Sequence, residues 1–258
     1  MYPIIITCDV NYFEHCVVFI QSYLQYNYDS CTEIHLHTIN IPKDKLKSIR
    51  ILPIKIFETN INLSTKRTIM CKGVDGKHPR MEGSLRSRLY SEQQCYCAHN
   101  KIFLANAYLV RDFDQLLILD VDCIFRKRID DMFKLPGDFI VRHKQLNNFT
   151  AFKEGCMLIR NTTATKTMFR EVSDILMHKF TNLVEYDIDS DHVVLGNTYK
   201  LFKNMINLKQ LPVEYKDTNF NNSSYIWSGK GDRKTKSNVY NSKHKYYYDI
   251  FCNRQFVT

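Results

Sequence analysis

Two aspartates separated by one apolar residue, Asp120-Val121-Asp122, stand directly after the run Gln115-Leu116-Leu117-Ile118-Leu119. Carboxylates at alternate positions offer hard oxygen ligands to Mn2+ or Mg2+ and leave coordination positions open for phosphate oxygens. The run before them reads as a central strand buried on both faces. In open α/β sheets, ligands bind at the carboxyl ends of such strands. The pairing of residue type and position points to metal-assisted chemistry at a diphosphate. The competing reading makes one aspartate a turn cap and leaves the other exposed.

The elements that must hold this pair follow from periodicity. Ile4 to Thr7 reads as a buried parallel strand running into Cys8-Asp9-Val10-Asn11, and Phe13, Cys16, Val17, Ile20 and Leu24 recur at helical spacing over Tyr12 to Tyr26. Glu33 to Thr38 alternates as a strand, Leu52 to Phe57 makes another, and residues 62 to 84 read as a mobile loop. Two helices are expected over Ser87 to Cys97 and Asn100 to Val110. Phe139 to Val141 and Cys156 to Ile159 are further strands, and a helix follows over Thr165 to His178. Alternating strands and helices of this kind predict an α/β fold, a mixed, mostly parallel central sheet with helices on both faces. With no linker, repeat or composition break, residues 1–258 are expected to form a single domain.

Charge is uneven. The net +9 is concentrated in two segments, residues 64 to 90 and 226 to 258, each with seven Lys or Arg against two Asp or Glu. Such segments suit a polyanionic partner, a diphosphate or a nucleic acid or phospholipid surface, and they also suit a plain solvated face. Nine cysteines are odd in number and lack the spacing of a disulfide framework. No signal peptide or bilayer-length apolar run is read, so the expected location is cytoplasmic with reduced thiols. Cys95-Tyr96-Cys97-Ala98-His99 lacks the two-residue gap of a zinc site.

The segment Leu116 to Phe125 resembles the DxD segment of GT-A glycosyltransferases, in particular the glycogenin-like and lipooligosaccharide galactosyltransferase-like family 8. Flanking segments resemble that family in the same order. Ile4 to Asn11 is similar to the first strand and loop that meet the nucleotide base, and Asn100-Lys101-Ile102-Phe103 to the start of the helix before the DxD strand. Phe152 to Ile159 is similar to a Phe-Asn-Ala/Ser-Gly-Val-Met-Leu-Ile strand, and Asp191-His192 to an Asp-Gln pair ahead of an apolar helix. Leu211-Pro212 and Ile226 to Lys234 fall where a late Leu-Pro and a His-x-x-Gly-x-x-Lys segment lie.

The resemblance implies a GT-A (Rossmann-like) nucleotide-diphospho-sugar transferase fold, with a basic variable loop at about 62–86 and a basic C-terminal segment at about 226–258. It implies a hexosyltransferase that uses a UDP-sugar donor with Mn2+ or Mg2+ and retains anomeric configuration. Donor contacts are then assigned to Thr7, Cys8, Asp9, Asn11, Tyr12, Lys101, Asp120, Val121, Lys153, Gly229 and Lys230. Metal contacts fall to Asp120 and Asp122, and the carboxylate near the reacting sugar carbon to Asp191, with Glu154 second. Arg233 or Lys234 are substitutes for Lys230 at the diphosphate. Asp191 equally reads as a helix cap after Ser190.

Several positions depart from the family pattern. Lys153 stands in place of the sugar-contacting Asn, and His192 in place of Gln. Aligned on Gly229, the third metal ligand, a His, becomes Ile226; aligned on Gly231, it becomes Ser228. Water, His244 or Asp249 are the candidate replacements. The acceptor is open: a glycan, a lipid-linked sugar or a protein hydroxyl, with an anionic acceptor suiting the basic segments. A DNA glycosyltransferase acting on hydroxymethylated bases is the alternative with the same donor chemistry, although no dedicated DNA-binding motif is present. A nucleotidyltransferase and a non-catalytic sugar-nucleotide-binding module complete the alternatives. The former usually needs a Gly-rich loop after the first strand, and Thr7 to Tyr12 contains no glycine.

Overall fold

A computed structural model describes residues 1–70, 89–111, 113–146, 149–182, 186, 190–229 and 233–254. In chain order, β1 (Tyr2–Asp9) leads through a 3-10 turn (Val10–Tyr12) into α1 (Phe13–Asn27). Next come β2 (Thr32–Ile39), α2 (Lys43–Ile49), β3 (Lys55–Thr59), β4 (Arg67–Met70) and β5 (Leu89–Ser91). Then follow α3 (Glu92–Leu109), β6 (Gln115–Leu119), β7 (Cys123–Phe125), β8 (Phe139–Leu146), β9 (Phe149–Arg160), α4 (Thr163–Asn182) and α5 (Ser190–Phe202). The chain continues with β10 (Leu208–Gln210), β11 (Ile226–Ser228), α6 (Arg233–Lys236) and α7 (Asn238–Arg254).

Seven strands form one sheet in the order β10-β8-β9-β6-β1-β2-β3. The pairs β1–β2, β1–β6, β2–β3 and β8–β10 are parallel, and β9 runs antiparallel to both β6 and β8. Side chains alternate across the strands, and each face of the sheet has its own core. Ile4, Ile6, Leu117 and Leu119 pack with Phe13, Val17 and Ile20 of α1 and Leu46 and Ile49 of α2. Ile5, Leu116 and Ile118 pack with Ile102 and Leu109 of α3, Phe169 of α4 and Leu195 of α5. Burial on both faces explains why β6 is apolar at consecutive positions.

Two local departures shape the site. The sequence predicts a break between Cys97 and Asn100, but α3 is continuous and starts from a capping box. Ser91 Oγ accepts from the Gln94 N–H at 3.2 Å, and Gln94 Oε1 accepts from the Ser91 N–H at 3.0 Å. No glycine or proline interrupts the helix. The apolar period lapses at His99, Asn100 and Lys101 because that stretch makes polar contacts instead. The second departure is a register shift between β8 and β9. Val141 faces Met157 while Arg142 faces Lys153, so Glu154, Gly155 and Cys156 have no partner in β8. Such a bulge re-aims side chains, and here it accompanies a fully buried Glu154.

The segment expected to be a loop contains β4, which pairs antiparallel with β5; residues 71–88 of the basic loop lie outside the described residues. The described cysteines are all free. Among the described residues, no helix is long and apolar enough to cross a membrane.

On the second strand, His35 Nδ1 and His37 Nε2 lie 2.7 and 2.9 Å from the Tyr108 hydroxyl, and His37 stacks on Phe57 with ring centroids 4.6 Å apart. Burial, with His35 and Arg111 adding to it, lowers the His37 pKa from 6.5 to about 4. A depressed folded value means the unfolded chain takes the proton first. The stabilisation is therefore present above about pH 6.5 and is lost as pH falls through 4, and is worth about 3 kcal/mol. Urea denaturation at pH 7 and 4.5 should show wild type losing roughly 2 kcal/mol more than His37→Phe. Equal losses in the two proteins would exclude His37 as the source.

Candidate active site

Asp120 and Asp122 occupy the turn between β6 and β7. The Asp120 N–H donates to the Gly155 carbonyl at 3.0 Å. A Cβ on Gly155 would lie 1.9 Å from Asp120 Oδ2, so only glycine lets that carboxylate lie against the β9 bulge. The Asp120 side chain is 34 % exposed, within reach of a ligand, whereas Asp122 is 8 % exposed. Asp122 is fixed through its backbone carbonyl, which accepts from the Gly229 N–H at 2.9 Å and the Tyr240 hydroxyl at 2.8 Å. Gly229 itself cannot carry a side chain, since a Cβ there would meet the Tyr240 oxygen at 2.6 Å.

Strand β11 brings the late segment to the aspartates: Ser228 pairs with Cys123, and Ile226 with Phe125. Of the two residues offered for the missing third ligand, Ile226 is a core residue. Ser228 is fully buried beside the aspartate turn, and its Oγ lacks a hydrogen-bond partner among the described residues. His244 Nε2 instead meets His15 Nδ1 at 3.0 Å, and Asp249 is exposed on α7. Two carboxylates and a buried hydroxyl on neighbouring backbone are hard oxygen groups of the kind that suit Mn2+ or Mg2+.

Beside Asp120, α3 and α5 contribute a charged cluster. Lys101 Nζ lies 3.3 Å from Asp191 Oδ2 and 4.0 Å from Asp120 Oδ1. Burial opposes the Lys101 charge, but Asp191, Asp120 and Glu154 outweigh it and raise the pKa above the usual lysine value. Asp191 is buried, which alone would raise its pKa; Lys101 and His192 hold it well below the carboxylate range instead. It lies inside the first turn of α5, facing Lys101, with His99 Nε2 3.9 Å away. Glu154 is fully buried against His192, whose Nδ1 is ion-paired with its Oε2 and also lies 3.0 Å from the Phe152 carbonyl. Burial would lower the His192 pKa, and the Glu154 and Asp191 charges raise it. Oε1 of Glu154 has no hydrogen-bond partner among the described residues.

Glu154, Asp191 and His192 offer ligand atoms within 4.8 Å of one another, a spacing that a metal could use. A His192 Nδ1 that meets a carboxylate and a carbonyl, however, carries a proton rather than a free lone pair. The aspartate turn is the better fit for an ion.

At the end of β1, Asp9 caps the 3-10 turn: Oδ1 accepts from the Asn11 and Tyr12 N–H groups at 3.1 and 3.2 Å. Its Oδ2 accepts from Gln93 Nε2 and Asn11 Nδ2, so Asp9 shapes the loop while Asn11 and Tyr12 stand exposed. Thr7 Oγ1 accepts from Asn100 Nδ2 at 3.2 Å, and Cys8 is buried. Lys153 is exposed next to Glu154, and Val121 is buried. Lys230 lies outside the described residues, and so do the side chains of Arg233 and Lys234. Tyr96 packs against Phe103 and Phe180, and Tyr247 in a cluster with Trp227 and Tyr240.

Sequence reasoning missed Lys216 and Tyr240, and met His99 only in the zinc pattern it set aside. Tyr240, Tyr247 and Phe251 recur at i, i+7 and i+11, a signal for α7 that the basic composition masked. Lys216 has no local signal.

A mostly parallel sheet carries an acidic turn at the carboxyl end of a central strand, with a second carboxylate cluster beside it, the arrangement expected of a GT-A glycosyltransferase. Residues 3–242 match the family model described as Glycosyl transferase family 8, and the chain belongs to that family. Among solved structures it is similar to the galactosyltransferase LgtC in complex with donor and acceptor sugar analogues, at 11 % identity and TM-score 0.59 over 97 % of this chain and 95 % of that one. It is also similar to the glycosyltransferase GlyE of Streptococcus pneumoniae TIGR4, at 15 % identity and TM-score 0.60. A third similar structure is the bifunctional WbbM, at 10 % identity and TM-score 0.52. The chain is covered to 99 % and 95 % in those two matches but spans 63 % of GlyE and 51 % of WbbM. At these identities the likeness speaks for the fold. No curated protein sequence matches the chain. The family replaces the nucleotidyltransferase and non-catalytic readings with a glycosyltransferase.

Proposed function

We propose that the protein transfers a hexose from a UDP-sugar to a hydroxyl acceptor, using Mn2+ or Mg2+ and retaining anomeric configuration. The observation that carries this reading is the Asp120-Val121-Asp122 turn, clamped by Gly229 and Tyr240 and set against Lys101 and Asp191. LgtC, similar in fold, is described with donor and acceptor sugar analogues, which supports a nucleotide-sugar donor here.

The reaction breaks the bond between the sugar anomeric carbon and the diphosphate oxygen and forms a bond to the acceptor oxygen, whose proton passes to the departing diphosphate. Asp120 and Asp122, with Ser228 as neighbour, would hold the ion; when bound, it neutralises charge on the departing diphosphate. Asn11 and Tyr12, presented by Asp9, receive the nucleotide. Asp191, ionised and anchored by Lys101, faces the positive charge that develops on the sugar ring. Glu154, ion-paired with His192, supplies a second buried carboxylate beside it. Exposed Lys144 and Lys153 on the β8–β9 arm favour an acceptor that carries negative charge.

Incubation with Mn2+ and a panel of sugar nucleotides tests the donor half without knowledge of the acceptor. Slow release of UDP from UDP-glucose or UDP-galactose, and much less from GDP- or ADP-sugars, is the expected result. Absence of both binding and hydrolysis across the panel would overturn the proposal.

A further inference from the structure

Lys216 is almost completely buried, at 2 % exposure, at the edge of the aspartate turn. Its backbone is fixed on both sides. The Lys216 N–H donates to the Val213 carbonyl at 3.0 Å, and its own carbonyl accepts from Arg142 Nη1 at 3.3 Å. The next residue, Asp217, exchanges backbone hydrogen bonds with β11 through Ile226 and Ser228, and its carboxylate accepts from the Asn219 and Asn221 N–H groups and the Ser224 hydroxyl. The side chain therefore leaves a rigid base.

Its ammonium donates to the Lys153 carbonyl at 2.9 Å, just ahead of the β9 bulge. The point where a Gly155 Cβ would stand is 2.7 Å from Lys216 Nζ and 1.9 Å from Asp120 Oδ2. Ammonium and carboxylate thus share the space that the missing side chain leaves open. A buried ammonium needs a counter-charge, and Asp120 is the carboxylate beside it. From the other side, Lys101 Nζ stands 4.0 Å from Asp120 Oδ1. The aspartate assigned to the metal is held between two lysines.

We infer that Lys216 is a positioning residue, a fixed internal cation that orients Asp120 and competes with the divalent ion for it. The inference rests on the proposed metal site at Asp120 and Asp122. Lys216 cannot swing into solvent, so an ion at Asp120 feels its repulsion whenever bound. The negative charge of a diphosphate offsets that repulsion. The ion consequently binds weakly to the free protein and tightly only together with the nucleotide, which makes metal entry dependent on the donor.

The test is Mn2+ binding, read from the electron paramagnetic resonance signal of free Mn2+, with and without UDP. Wild type should bind Mn2+ at least tenfold more tightly with UDP than without. Lys216→Met, which keeps the bulk of the side chain, should bind Mn2+ without UDP at least tenfold more tightly than wild type, and the gap should narrow with UDP. Lys216→Gln, able to donate to the Lys153 carbonyl without a charge, should follow Lys216→Met. Unchanged or weaker Mn2+ affinity in folded variants overturns the inference and leaves the metal site standing. Tight Mn2+ binding to wild type without UDP overturns it with no variant needed. No Mn2+ binding under any condition overturns both the inference and the metal site beneath it.

Discussion

Asp122→Asn should lower Mn2+-dependent hydrolysis of the UDP-sugar donor by about 10²- to 10³-fold while leaving the thermal transition nearly in place. The replacement keeps the shape of the side chain and removes its charge. The backbone at Asp122 is held by the Gly229 N–H and the Tyr240 hydroxyl through the carbonyl, which the substitution does not touch. Loss of activity would therefore report the carboxylate rather than a collapsed turn. Asp120 is a poorer choice for this test. Its removal also changes the surroundings of Lys101 and leaves Lys216 without the carboxylate beside it, so stability and activity would move together. Steady-state UDP release at saturating Mn2+ is the measurement. Activity within threefold of wild type would remove Asp122 from the ligand set.

The ease of reading this site in the sequence varied with how local its causes are. β6 and its aspartates were legible because a strand buried on both faces leaves an unbroken apolar run, and charge at its end is conspicuous. The ordered flanking segments then indicated the family. α3 was split in two because His99, Asn100 and Lys101 interrupt the apolar period; those residues meet Asp191 and Thr7, contacts made across the fold. Strands β7, β10 and β11 have three residues each, too few for a period to register. Lys216 was invisible for a related reason. After Leu211-Pro212-Val213-Glu214-Tyr215 it reads as ordinary surface charge, and its ammonium meets the edge of the β9 bulge, 63 residues away in the chain. Glu154 was singled out by sequence, but its partner His192 emerges only from the packing of α5 against β9.

Asp191→Asn should reduce kcat for sugar transfer or donor hydrolysis by at least about 10²-fold with the donor KM within a few-fold of wild type. A full negative charge a few ångströms from a developing positive centre is worth several kcal/mol at the effective dielectric of a protein site, and it acts only as that charge appears. The group is suited to this role because it stays ionised: Lys101 and His192 hold its pKa far down despite burial. Its depressed value also means that its contribution to stability is present above about pH 4 and is lost only as pH falls further. Acid inactivation between pH 7 and 5 would therefore have another origin. A purely structural role for the Lys101–Asp191 pair makes a different prediction. Breaking one partner of a buried pair costs about 3–5 kcal/mol because the other is left uncompensated. In that case Asp191→Asn would lose stability, and adding Lys101→Met would restore stability and activity together. The catalytic role requires the double variant to regain thermal stability while kcat stays low. Recovery of kcat in the double variant would reduce Asp191 to a counter-ion.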